Sequence, residues 1–143
     1  MRCGYTEDSG DSLALGRWRA QVESAIRGKR GQAFLRSLIA ALDALPEKKL
    51  VRNALESPEG SVCALGALGK QRGVNLSEMD TYDYYTLGKT FNIAPQLAQE
   101  TMYVNDEAWA FSISDEERWQ QVRGWATKRI VPTEEELTGK AGK

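Results

Sequence analysis

The chemistry open to this chain is set first by a missing residue type: its 143 residues include no histidine. Serine–histidine and cysteine–histidine nucleophile activation are therefore excluded, along with the commonest metal ligand. Two cysteines, Cys3 and Cys63, are too few for a disulfide framework, and without imidazole they cannot complete a structural zinc site. Carboxylates remain. Asp80, Asp83, Asp106, Glu107, Asp115, Glu116 and Glu117 lie in the second half of the chain and could in principle hold Mg²⁺ or Mn²⁺. Most have a simpler local use: Asp80 suits a helix N-cap, and the acids at 115–117 suit a first helical turn. Asn105-Asp106-Glu107, after Tyr103, has the weakest local explanation, because acids at a helix C-terminus oppose its dipole. No catalytic residue, metal or cofactor is assigned, and the chain reads as a non-enzyme.

Basic residues offer the second kind of chemistry. Residues 25–34, AIRGKRGQAF, place Arg27, Lys29 and Arg30 around Gly28 and Gly31. A helix–GxxG–helix element of this kind can clamp a single-stranded nucleic-acid backbone. That module also needs a three-stranded sheet, and at most two strands can be found here. The stretch is better read as a turn between two helices with outward-facing charges. Residues 17–52 carry nine Lys/Arg against three Asp/Glu, whereas residues 74–117 carry one against nine. The chain is bipolar although its net charge is only −1. Arg17, Arg19, Arg27, Lys29, Arg30 and Arg36 form the candidate basic contact patch. Tyr82, Asp83, Asn105, Asp106, Glu107 and Trp125 form the candidate acidic and aromatic face, with Trp125 set off the main apolar stripe of its helix as a partner anchor would be.

Three other motifs fail on their own terms. LGKTFNIAPQLAQE has a helix-turn-helix rhythm, but its second helix (94–107) has no Arg or Lys and three acids, so phosphates would repel it. ALGALGKQ and DYYTLGKT approach a phosphate-cradling loop, yet Ala64 and Asp83 replace the first glycine that loop requires.

The elements that must position these residues follow from periodicity. Leu15, Trp18, Val22, Ala25 and Ile26 recur at helical spacing up to Gly28. Phe34, Leu35, Leu38, Ile39, Leu42 and Leu45 mark residues 32–45 as the central buried helix, ended by Pro46. Residues 48–69 are ambiguous, because S-P-E-G is good turn chemistry while the following Ala and Leu favour helix. They are expected to give a short extended piece, then a helix over about 61–72 capped by Ser61. Further helices are predicted from Asp80 to Asn92, from Pro95 to about Val104, and from the Ser114/Glu117 capping box through Trp119, Val122, Ala126 and Ile130. The fold class expected is a mostly α, compact single domain of five or six short helices, with room for one small β-hairpin near residues 48–69. Residues 1–13 are expected to be a disordered N-terminus, 14–130 the helical domain and 131–143 a flexible tail. No apolar run approaches the roughly 18 residues of a membrane span, and the polar N-terminus lacks a signal-peptide core, so a cytoplasmic location with no membrane partner is expected.

Trp18, Ile26-Arg27-Gly28-Lys29, Cys63-Ala64-Leu65-Gly66, Asn105-Asp106-Glu107 and Trp125 together resemble a family of small, uncharacterised phage and prophage accessory proteins, over about residues 15–130. The resemblance implies a viral protein acting in the bacterial host cytoplasm. Such proteins often bind and inhibit a host component, including defence systems. The functional expectation is therefore a phage-type interaction protein with a host protein partner. The alternative is a nucleic-acid-binding protein using the basic patch around residues 27–36. Self-association into a homo-oligomer, positive face to negative face, is open to a bipolar chain.

Overall fold

The computed structural model describes residues 12–107, 113–133 and 136. Six α-helices run in order through them: α1 (Ser12–Arg27), α2 (Lys29–Ala44), α3 (Ala64–Gln71), α4 (Tyr84–Phe91), α5 (Pro95–Asp106) and α6 (Asp115–Lys128). A short 3-10 turn, Leu76–Glu78, lies between α3 and α4. The protein is mostly helical, with no strand among the described residues. Helix α1 begins at Ser12, so residues 12 and 13 belong to it; the rest of the N-terminal segment expected to be disordered lies outside the described residues.

One residue separates α1 from α2. Gly28 is extended (φ −68°, ψ 165°); its N–H donates to Ser24 O and its carbonyl accepts from Gln32 N. Lys29, Arg30 and Gly31 are already the first turn of α2. The expected four-residue surface turn is therefore absent, and with it the geometry of a backbone clamp. Gly31 is buried for a different reason: a Cβ there would lie 1.9 Å from Ala25 O and 2.8 Å from Ile26 O. The two helices cross at backbone contact, which only glycine allows.

Helix α2 buries Phe34, Leu35, Leu38 and Leu42, as its stripe predicts. The true centre, however, is α5, which packs against α1, α3, α4 and α6. It buries Leu97, Ala98, Met102 and Val104 together with Glu100, Thr101, Asn105 and Asp106. Those polar residues lower its apparent hydrophobicity and conceal its position from sequence. Pro95 opens it and Asn92, left-handed at φ 57°, closes α4 before it. Their pairing is tight: a Cβ on Gly88 of α4 would meet Ile93 O at 2.7 Å.

The segment between α2 and α3 contains no hairpin. It keeps only a single antiparallel bridge, Glu56 with Val62, around the turn where Gly60 N–H donates to Ser57 O. Helix α3 starts at Ala64, with Cys63 rather than Ser61 as its N-cap. Residues 64–69 are all buried, so α3 is covered on every side. Its glycines admit neighbours, since a Cβ on Gly66 would lie 1.9 Å from Leu55 O. Asp83, not Asp80, caps α4; Asp80 instead accepts from Tyr82 N. The capping box of α6 forms as expected between Ser114 and Glu117.

Of residues 131–143, expected to be a flexible tail, only 131–133 and 136 are described, and Val131 and Glu136 bond to α2; the others lie outside the described residues. Val131 N–H donates to Gln32 Oε1 at 2.8 Å, and Arg36 donates to Val131 O at 3.1 Å. Arg36 also forks onto both carboxylate oxygens of Glu136 at 3.0 and 2.7 Å.

Candidate functional site

The two candidate faces fare differently. In the basic patch, Arg19 and Arg36 are drawn into the fold. Arg19 reaches Glu23 at 3.5 Å and the buried Glu100 at 3.7 Å, supplying the positive charge a desolvated carboxylate needs. Arg36 is held by Glu136, which raises its affinity for the proton. Arg27 lies 4.0 Å from Glu23 and Arg17 is exposed. Lys29 and Arg30 stand at the start of α2, where no acid offsets the positive end of the helix dipole. Two cations there disfavour the helix and concentrate positive potential at one point.

Two residues outside the predicted patch complete this surface. Lys89 and Tyr85, from α4, share with Arg30, Asn92 and Pro95 the lining of a groove of about 370 Å³. Arg30 donates to Asn92 Oδ1 at 3.4 Å. The Lys89 ammonium sits 4.7 Å from the Tyr85 ring centroid, and Tyr85 is 63% exposed. A second groove of about 210 Å³, lined by Ser24, Gly28, Lys29, Arg30 and Ala94, adjoins it. Among the described residues no carboxylate forms an ion pair with Lys29, Arg30 or Lys89. Lys89 is the lone cation of residues 74–117, an isolation that could have drawn attention to it in the sequence.

The acidic and aromatic face does not assemble as a surface. Tyr82 is exposed, and Asp83 is occupied as a helix cap that accepts from Thr86 N and Oγ1. Those two bonds hold its carboxyl below the usual carboxylate range. Glu107 is half-buried and ends α5 through its N–H to Tyr103 O. Trp125 is only 7% exposed, correcting its expected role as an outward anchor. The buried face of α6 runs through Arg118, Val122, Trp125 and Ala126, which turns Trp125 inward and leaves Trp119 at the margin. Trp119 donates its indole N–H to Leu42 O at 2.9 Å.

Asn105 and Asp106 are also interior, and together they form a clasp. Asn105 Oδ1 accepts from Ala64 N at 3.1 Å, and its Nδ2 donates to Val51 O at 2.9 Å and Asp106 Oδ1 at 2.6 Å. Asp106 Oδ1 also accepts from Asn53 N at 3.1 Å. Arg118 donates to Asn105 O at 2.5 Å and closes the cluster from α6. Burial pulls the Arg118 guanidinium below its ordinary value, and nearby Asp106 opposes that shift. This arrangement answers the puzzle of acids at a helix C-terminus: Asp106 is a receptor for backbone N–H, with an arginine beside it. Among the described residues no group of three or more Cys, Asp or Glu side chains is placed to hold a metal ion, so Asp106 and Glu107 do not converge with a third carboxylate. Cys63 is fully buried, and desolvation pushes its thiol up to about 12, far from a reactive thiolate.

No helix of the described chain is long and apolar enough to cross a membrane. Compared with protein-family models, curated proteins and solved structures, the chain matches none.

Proposed function

We propose that this chain is a non-enzymatic binding protein that engages an acidic surface on a host protein, in the manner of a phage accessory protein that binds and blocks a host component. The observation that carries this reading is the pair of adjoining grooves that brings Lys29, Arg30 and Lys89 near the exposed Tyr85, with no carboxylate among the described residues pairing any of the three cations. Clustered cations around an accessible aromatic ring suit a partner that offers carboxylates and an apolar edge. A protein partner is preferred to nucleic acid on two grounds. The helix that would read DNA, α5, is buried, and of the GxxG stretch only Gly28 is outside a helix, Lys29, Arg30 and Gly31 forming the first turn of α2.

The test is affinity capture from bacterial lysate with the native chain and the triple variant Lys29→Ala/Arg30→Ala/Lys89→Ala. A partner retained by the first and lost by the second is expected. The same partner held equally by both overturns the basic-groove reading. Retention of nucleic acid instead, with affinity falling steeply with salt, moves the assignment to a polyanion binder.

A further inference from the structure

Lys29, Gln32 and Arg36 lie on one face of α2, the first and last seven positions apart, about two turns or 10.5 Å. The upper end of this row opens on the groove, while the lower end is covered. Val131 has both its backbone N–H and its carbonyl satisfied by side chains of the row, from Gln32 and Arg36 respectively. Gln32 Nε2 also donates to Ile26 O and Arg129 O, fastening the chain after α6 to the end of α1. Beyond that point Thr133 and Glu136 cap one another, Thr133 N donating to Glu136 Oε1 and Glu136 N to Thr133 Oγ1. The carboxylate thus aimed meets the Arg36 fork at 2.7 Å. Both members of the pair remain partly open to solvent, at 38% and 42% side-chain exposure, so another carboxylate can reach the same arginine. In sequence, Glu136 is the third of three consecutive glutamates, 134–136.

We propose that residues 131–133 and Glu136 are an intramolecular competitor for the acidic partner: Glu136 occupies Arg36 in the free protein, and an incoming acidic surface displaces it, extending the contact from Lys29 to Arg36. This rests on the binding reading above. An exposed bidentate pair is weak enough to exchange and directional enough to hold the strap in register. The strap therefore tunes affinity and gives an advantage to partners long enough to reach both ends of the row.

The experiment measures binding of poly-L-glutamate to the full chain at low salt. The variants are Glu136→Gln, Lys29→Ala/Arg30→Ala, and Glu59→Gln as a charge-matched control on another face. Glu136→Gln is expected to bind about threefold tighter than the native chain, within the range of one exposed ion pair, with Glu59→Gln little changed. In the native chain, saturating poly-L-glutamate should shift the Val131 amide resonance as the strap leaves. Equal gains in both Gln variants reduce the effect to net charge and overturn the proposal. So does an unmoved Val131 amide, or a Glu136→Gln affinity equal to native. If Lys29→Ala/Arg30→Ala still abolishes native binding in those cases, the basic-groove reading stands without the strap. Absence of binding by every chain, Glu136→Gln included, overturns both.

Discussion

Asn105, in the last turn of α5, caps a helix to which it does not belong: its side-chain oxygen accepts the N–H of Ala64, the first residue of α3, at 3.1 Å. The same amide donates to Val51 O, so one side chain ties the irregular segment leading into α3 at two points thirteen positions apart.

Asn105→Ala leaves a buried N–H and a carbonyl without their partner. An unsatisfied buried group costs about 1–3 kcal/mol, so a loss of about 2–4 kcal/mol is expected in urea denaturation. Glu59→Ala, exposed and outside every network, should stay within about 0.5 kcal/mol of native. A native-like midpoint for Asn105→Ala would remove the clasp from any account of stability.

Glycine positions separate close approach from mere permissiveness. In Gly31→Ala the new methyl meets backbone on α1, which no rotamer change can relieve, and a loss of about 3 kcal/mol is expected. In Gly16→Ala, on the same pair of helices, the methyl meets nothing within 4 Å. Helix propensity alone should then raise stability by about 0.5–1 kcal/mol. Thermal melts of the two variants check opposite signs, and a harmless Gly31→Ala contradicts the crossing geometry.

The strap has a defined acid limit. Arg36 and the Thr133 cap hold Glu136 down to about 2, against an ordinary 4.5. A depressed carboxylate supports the folded arrangement above its free value and loses that support as pH falls through the bound one. Docking of Val131 and Glu136 is therefore expected to be constant above about pH 5 and to weaken between about 4.5 and 2. The Val131 amide resonance followed through an acid titration reports it directly, and release already complete at pH 5 would contradict the pairing.

What was legible in the sequence was local. The capping box at Ser114 and Glu117, Pro95 opening α5, Asn92 closing α4 and the apolar stripe of α2 are signals contained within a few residues. What was not legible depends on partners far along the chain. Glycines 28 and 31 look like a turn because sequence does not distinguish a glycine chosen for its φ from one chosen for a backbone crossing; Gly31 is of the second kind. Arg36 reads as a free cation because Glu136 lies 100 residues away. Asp106 reads as an unexplained acid because its N–H donor is 53 residues earlier. Trp125 is misjudged by rotation, since the buried face of α6 includes Arg118 and is centred elsewhere than the apolar residues suggest. The groove needed Arg30, at the start of α2, to be brought beside the end of α4, and no local pattern joins Arg30 to Lys89.

The clasp also imposes an order on synthesis. Residues 51–64 are made well before the side chains that hold them, which follow 41 to 54 positions later. At about 5–20 residues per second, translation leaves that stretch without its anchors for roughly 2–10 seconds. The middle of this protein is therefore completed from its far side, and a nascent chain stopped short of Asn105 has made Val51 and Ala64 without the side chain that bonds both.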